Sequence, residues 1–131
     1  MKLAIETHGA GQPLVLIHGM GSAATAWQPI IPTLAKQFSV VTIDLPGHGR
    51  TPYSPIQKMD PTSLAQLVLK NLKNIGIESF HLVANSLGGW VSFEIAVLNP
   101  TAVKSITALA PAGLWLTPFT SRYPGELALR V

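Results

Sequence analysis

Four apolar runs of strand length, Leu14 to Ile17, Val40 to Ile43, Phe80 to Ala84 and Val103 to Leu109, alternate with helix-length stretches, and this alternation constrains the fold more than any other feature of the chain. Each run is bounded by Gly, Pro, Asn or Asp, the residues that punctuate strands. The stretches between them, near Trp27 to Gln37, Thr62 to Asn74 and Ser86 to Leu98, have the length and apolar spacing of helices. Strands alternating with helices predict an α/β fold, a mostly parallel sheet with helices on both faces. Lys2 to Ile5 is expected to add a short edge strand. With 47% apolar and 11% charged residues, the chain suits elements buried on several sides.

The middle helix shows how the local signals agree. Asp60-Pro61 supplies an N-cap followed by proline at the first helical position, and Gly76 supplies the stop. Leu64, Leu67, Val68 and Leu72 form one stripe, so this helix is expected to cover the sheet and face water. The helix after Ser86 carries Trp90, Val91, Phe93, Ile95, Ala96, Val97 and Leu98 around its circumference, which predicts burial on most sides.

Several function classes are excluded or disfavoured by composition. Nine Lys/Arg against six Asp/Glu give a net charge of +3, but the basic residues are scattered and form no phosphate-binding stripe, so no nucleic-acid partner is expected. There is no cysteine, hence no disulfide framework, no thiolate metal site and no cysteine nucleophile. Pro111 and Gly113 interrupt the longest apolar stretch well short of the roughly 20 residues of a membrane span. No export signal is legible before Glu6, and a soluble cytoplasmic protein is the expectation.

Three constellations carry chemistry. In Phe80 to Gly89 a strand feeds Ser86 into a helix, with Ala84 two residues before and Gly88 two after, which reads as G-x-S-x-G with alanine for the first glycine. Such a sharp strand-to-helix turn lifts a serine oxygen clear of the backbone beside free N–H groups, and it demands small neighbours. The alternative is an ordinary helix N-cap serine beside a packing glycine pair. The second constellation, His18-Gly19-Met20-Gly21, follows the strand Leu14 to Ile17. Acyl transfer builds negative charge on a carbonyl oxygen, and two preorganised backbone N–H groups stabilise it; Met20 and Leu87 are the expected donors. His18 is expected to brace this loop, and His18, Gly19 and Asn85 to border the substrate. The third, Asp44-Leu45-Pro46-Gly47-His48-Gly49, is a tight reversal after Val40 to Ile43, and Asp44 is assigned a structural role.

In this order and spacing, the HGxG-type loop, the DLPGHG-type turn and the GxSxG-type elbow resemble those of the α/β-hydrolase superfamily. The resemblance runs from the glycine-rich approach at His8 to Gln12 as far as Ala108 to Trp115. Within the superfamily it is similar to the lid-bearing, cofactor-free serine hydrolases. It implies residues 1–113 as the N-terminal part of a hydrolase core and 114–131 as the start of a lid segment or a truncated tail, with Trp115, Leu116, Phe119 and Tyr123 as first lid residues. It implies no metal or organic cofactor and a small-molecule substrate with an ester or similar acyl bond, or a carbon–carbon bond beside a carbonyl.

A nucleophilic serine needs a histidine base and an acid to orient it, in the chain order Ser, acid, His. No histidine follows Ser86, and the only acids after it are Glu94 and Glu126. The expectation is a chain truncated before the lid and the last strands, with little or no turnover alone. Two alternatives stand beside it: a complementing chain or second copy joined through the open sheet edge, and a catalytically dead module that keeps the pocket for binding. A rival from another class is a dinucleotide-binding domain, because Gly19 to Ala24 also fits G-x-G-x-x-A and Asp44 follows about 20 residues later. Its helix, opening at Gly21, would carry Pro29 and Pro32 inside it at a cost of about 3 kcal/mol each.

Overall fold

The computed structural model describes residues 1–114; the expected lid residues and the tail to Val131 lie outside the described residues. The apolar runs become a five-stranded sheet of order β1-β3-β2-β4-β5, built from β1 (Ala4–His8), β2 (Gln12–Ile17), β3 (Phe38–Asp44), β4 (Phe80–Asn85) and β5 (Val103–Leu109). All neighbours run parallel except β1, which pairs antiparallel with β3 from Ala4↔Asp44 to His8↔Val40. The edge strand therefore lies further along the chain than Lys2 to Ile5, in the register that matches it to Val40 to Asp44 of β3.

Helix α2 (Pro61–Asn74) and helix α3 (Leu87–Leu98) cover one face of the sheet. Leu64, Val68 and Leu72 of α2 and Val91 and Ile95 of α3 meet Val15, Ile17, Val41, Ile43 and Leu82, all fully buried. Burial of a side chain of this size stabilises by about 1.5–3 kcal/mol, and this layer carries most of the core. On the other face a smaller cluster forms from Leu14, Leu16, Val40 and Trp27, packed by Ile31, Leu34 and Phe38.

The stretch from Trp27 to Gln37 is not one helix. It divides into a 3₁₀ turn at Ala24–Trp27 and a single α-helical turn, α1, at Ile31–Leu34. Pro29 lies between them; it has no N–H to continue the first turn, and its ring would clash with the carbonyl four residues back. Pro32 sits in the first turn of α1, where the missing donor costs nothing. Helix α3 also departs from expectation. Its buried residues are Leu87, Gly88, Gly89, Val91, Ser92 and Ile95, whereas Trp90, Val97 and Leu98 are exposed: the sheet and α2 pack against it, Pro111 lies on Gly89, and the remaining side faces outward among the described residues. Among the described residues no helix is long and apolar enough to cross a membrane.

Candidate active site

The junction of β4 and α3 holds the chain's most unusual backbone. Ser86 lies between them with φ 50° and ψ −115°, a combination outside the ordinary wells of an L-residue and outside the left-handed helical well, whose ψ is about +30 to +60°. Its side chain makes no capping bond to the helix. An N-cap serine has extended φ/ψ and caps through its oxygen, so the N-cap alternative does not describe this residue. The conformation is held from several sides: Ser86 N–H donates to Leu109 O at 3.0 Å, and Ser86 O accepts from Gly89 N at 3.0 Å and Ala112 N at 2.9 Å. A strained residue persists only where its surroundings over-determine it.

Small residues let three backbones converge here. A Cβ on Gly88 would lie 2.4 Å from Ile17 O and 2.7 Å from His18 O, so the first turn of α3 sits directly on the end of β2. A Cβ on Gly19 would lie 2.9 Å from Asn85 Oδ1 and 3.1 Å from Ser86 Cβ, which puts the His18 to Gly21 loop against the serine. Asn85 is fastened by its amide, Nδ2 donating to Leu109 O at 3.1 Å. Gly19 and Asn85 border a cleft of about 140 Å³, with His18, Ser22, Ala26, Trp27 and Leu109 as its other walls.

The orientation of the Met20 amide follows from its neighbours. His18 is buried, and its Nε2 accepts from Leu45 N–H at 3.0 Å, which leaves the proton on Nδ1 to donate to Gly19 O at 2.7 Å. Ser22 N–H also donates to Gly19 O, at 3.2 Å. With the Gly19 carbonyl held and the peptide trans, the Met20 N–H points the opposite way. Among the described residues neither this N–H nor that of Leu87, the first residue of α3, is tied to a protein acceptor. Burial pushes the His18 pKa below its ordinary value of 6.5, against the pull of the Gly19 carbonyl. A neutral ring is what its two bonds require, and His18 braces the loop from behind, so its contact with the cleft leaves no ring nitrogen free for substrate.

Asp44 is structural. Its Oδ1 accepts from Ala24 N–H at 2.7 Å and its Oδ2 from Arg50 N–H at 3.0 Å, so one buried carboxylate joins the segment after the loop to the turn after β3. A Cβ on Gly49 would collide with this carboxylate, which explains the glycine there. The dinucleotide alternative fares badly: no helix opens at Gly21, and the acid it needs for a ribose is already bonded at both oxygens. Two features had no signal in the sequence. Trp27 Nε1 is buried beside the cleft with no partner among the described residues. His48, expected only as part of a turn, reaches the Gly21 N–H.

The site thus has a strained serine between a parallel strand and a helix, with a glycine loop from the neighbouring strand beside it, and the family model of the α/β-hydrolase fold matches residues 12–127. The chain belongs to the α/β-hydrolase fold family. Within that family it is 40% identical over 104 residues to the dihydrolipoyllysine-residue acetyltransferase component of the acetoin cleaving system of Pseudomonas putida, covering 79% of this chain and 28% of the relative. It is 38% identical over 104 residues to a pimeloyl-[acyl-carrier protein] methyl ester esterase of Legionella pneumophila, covering 79% and 40%. Among solved structures it is similar to a bacterial membrane phospholipase A at a TM-score of 0.83 and 30% identity, over 86% of this chain and 37% of that one. The chain thus spans less than half the length of each of these proteins.

Proposed function

We propose that this chain carries the nucleophile and oxyanion half of a serine hydrolase acting on a carboxylic ester or similar acyl bond of a small molecule. Ser86 Oγ attacks the carbonyl carbon, and the electron pair displaced onto the carbonyl oxygen is received by the N–H groups of Met20 and Leu87. The serine proton passes to a histidine outside these residues, oriented by an acid also outside them. Collapse of the intermediate expels the alcohol and leaves an acyl-serine, which water then cleaves by the same route in reverse. Cleavage of a carbon–carbon bond beside a carbonyl, and acyl transfer to an acceptor other than water, use the same groups. The observation that carries the reading is the conformation of Ser86, strained and without a capping bond.

The base comes either from further sequence of the same polypeptide or from a complementing chain or second copy at the outer edge of β5, which pairs with no strand among the described residues.

Mass spectrometry after exposure to a serine-directed fluorophosphonate tests the reading. It is applied to this chain and to its extension by whatever coding sequence follows Val131. The 131-residue chain is expected to show little ester turnover, and the extended form to be labelled at Ser86 and silenced by Ser86→Ala. Labelling unaffected by Ser86→Ala, or tight binding of a nicotinamide cofactor with no reaction at Ser86, overturns it.

A further inference from the structure

Two imidazoles stand behind the Met20 loop, and only one has been given a role. His48 lies in the turn after β3, with its ring centroid 5.1 Å from that of His18. Gly21 N–H donates to His48 Nε2 at 3.1 Å, so Nε2 carries no proton, and Nδ1–H donates to Pro46 O at 2.9 Å. His18 grips the peptide before Met20 through Gly19 O, while His48 grips the peptide after it through Gly21 N. Gly21 has φ 70°, and a Cβ there would meet nothing within 4 Å, so local packing does little to hold this peptide. The bond to His48 holds it directly, beside the Ser22 N–H to Gly19 O bond that closes the turn.

We propose that His48 is a positioning residue for the oxyanion loop, and that acid releases the loop by protonating His48 Nε2. The inference rests on the reading of Met20 as an oxyanion donor. A proton on Nε2 turns the acceptor of Gly21 N–H into a second donor facing it, so the bond is lost rather than weakened. Charged and titratable groups reach His48 from two neighbouring elements. From the end of β2, His18 presents a ring already committed by two hydrogen bonds, and a cation at His48 would disfavour one at His18. From the end of β3, Asp44 presents a carboxylate bonded to Ala24 and Arg50 N–H, with the Arg50 guanidinium 3.7 Å from it. The 3₁₀ segment Ala24–Trp27 brings no charged side chain.

The test is an NMR titration of the chain, following the His48 ring and the backbone amides of Met20 and Gly21 together. The amides are expected to move with the same midpoint as the His48 ring, and the protection of the Gly21 amide, its exchange rate against the unstructured rate at the same pH, to fall about tenfold as that ring protonates, the equivalent of one net hydrogen bond. His48→Gln, whose carbonyl can accept from Gly21 without titrating, is expected to keep the amide protected and remove its pH dependence. His48→Ala is expected to leave the Gly21 amide weakly protected at every pH. A Gly21 amide that ignores the His48 midpoint, or is equally protected in the alanine and glutamine variants, overturns the proposal. Because this readout needs no turnover, it fails or succeeds independently of phosphonate labelling at Ser86.

Discussion

Helices α2 and α3 cover the same face of the sheet, yet they begin in opposite ways. At α2, Asp60 has extended backbone, φ −67° and ψ 151°, its carboxylate accepts from Ser63 N–H at 2.9 Å, and Pro61 follows. Those bonds from the Ser63 N–H and hydroxyl hold the Asp60 carboxyl below its ordinary pKa. At α3, Ser86 takes a strained φ of 50° and offers the helix no cap. One start satisfies an orphan N–H group with a side chain; the other leaves its first N–H, that of Leu87, without a protein acceptor among the described residues and its serine without a capping bond. The difference separates a helix start built for stability from one that leaves donors and an oxygen available to a substrate.

This contrast can be broken most forcefully at Gly88. Replacement by alanine puts a Cβ 2.4 Å from Ile17 O, a backbone atom that cannot step aside cheaply. Overpacking of this kind costs about 1–3 kcal/mol, and more where backbone must move, against a gain in helix propensity of under about 1 kcal/mol. Gly88→Ala is therefore expected to lose about 2 kcal/mol or more in urea unfolding; an unchanged midpoint would mean that α3 does not sit on the end of β2 as described.

The contrast is sharpened by changing the two caps in parallel. Asp60→Ala removes a side-chain cap and is expected to lower the urea midpoint. Ser86→Gly relieves strain of about 1–3 kcal/mol while adding about 0.5–1 kcal/mol of unfolded-chain entropy, so a net gain of about 1 kcal/mol is expected together with loss of phosphonate labelling. If both changes destabilise, the strain assigned to Ser86 is wrong.

The smallest effect concerns His18, whose folded-state pKa lies below its ordinary 6.5 because it is buried. Above about pH 6.5 the ring is neutral whether the chain is folded or not, and it contributes no pH dependence. As the pH falls below that value the unfolded chain binds the proton first, so folding stability declines toward the folded-state pKa. Urea midpoints measured between about pH 7.5 and about pH 5 are expected to fall less in His18→Asn than in the parent chain, since the amide can still donate to Gly19 O but takes up no proton. Equal slopes would mean that His18 titrates alike in both states.

Much of this molecule is legible from one dimension. The strands, α2 with its Asp60-Pro61 start and Gly76 stop, and Ser86 at a strand-to-helix junction follow from apolar runs and punctuating residues, because backbone preference and side-chain period act over a few neighbours. The same local reasoning misjudged Trp27 to Gln37, where Pro29 ends one turn before the next begins, and α3, whose exposed Trp90, Val97 and Leu98 look like core residues when only their hydrophobicity is read.

What only the tertiary structure decided is how distant polar groups divide the work around Ser86. Sequence spacing holds no trace of the 27 residues between His48 and Gly21, or of the 20 between Asp44 and Ala24, being bridged by hydrogen bonds. Nor does it say that both histidines end up hydrogen-bonded to the backbone on either side of Met20. Such bonds form because the parallel sheet brings the ends of β2, β3 and β4 to one place, and hydrogen-bond geometry selects among the groups delivered there. The chain's local pattern determined that a serine would stand at that edge; the convergence of its neighbours decided the conformation in which it stands.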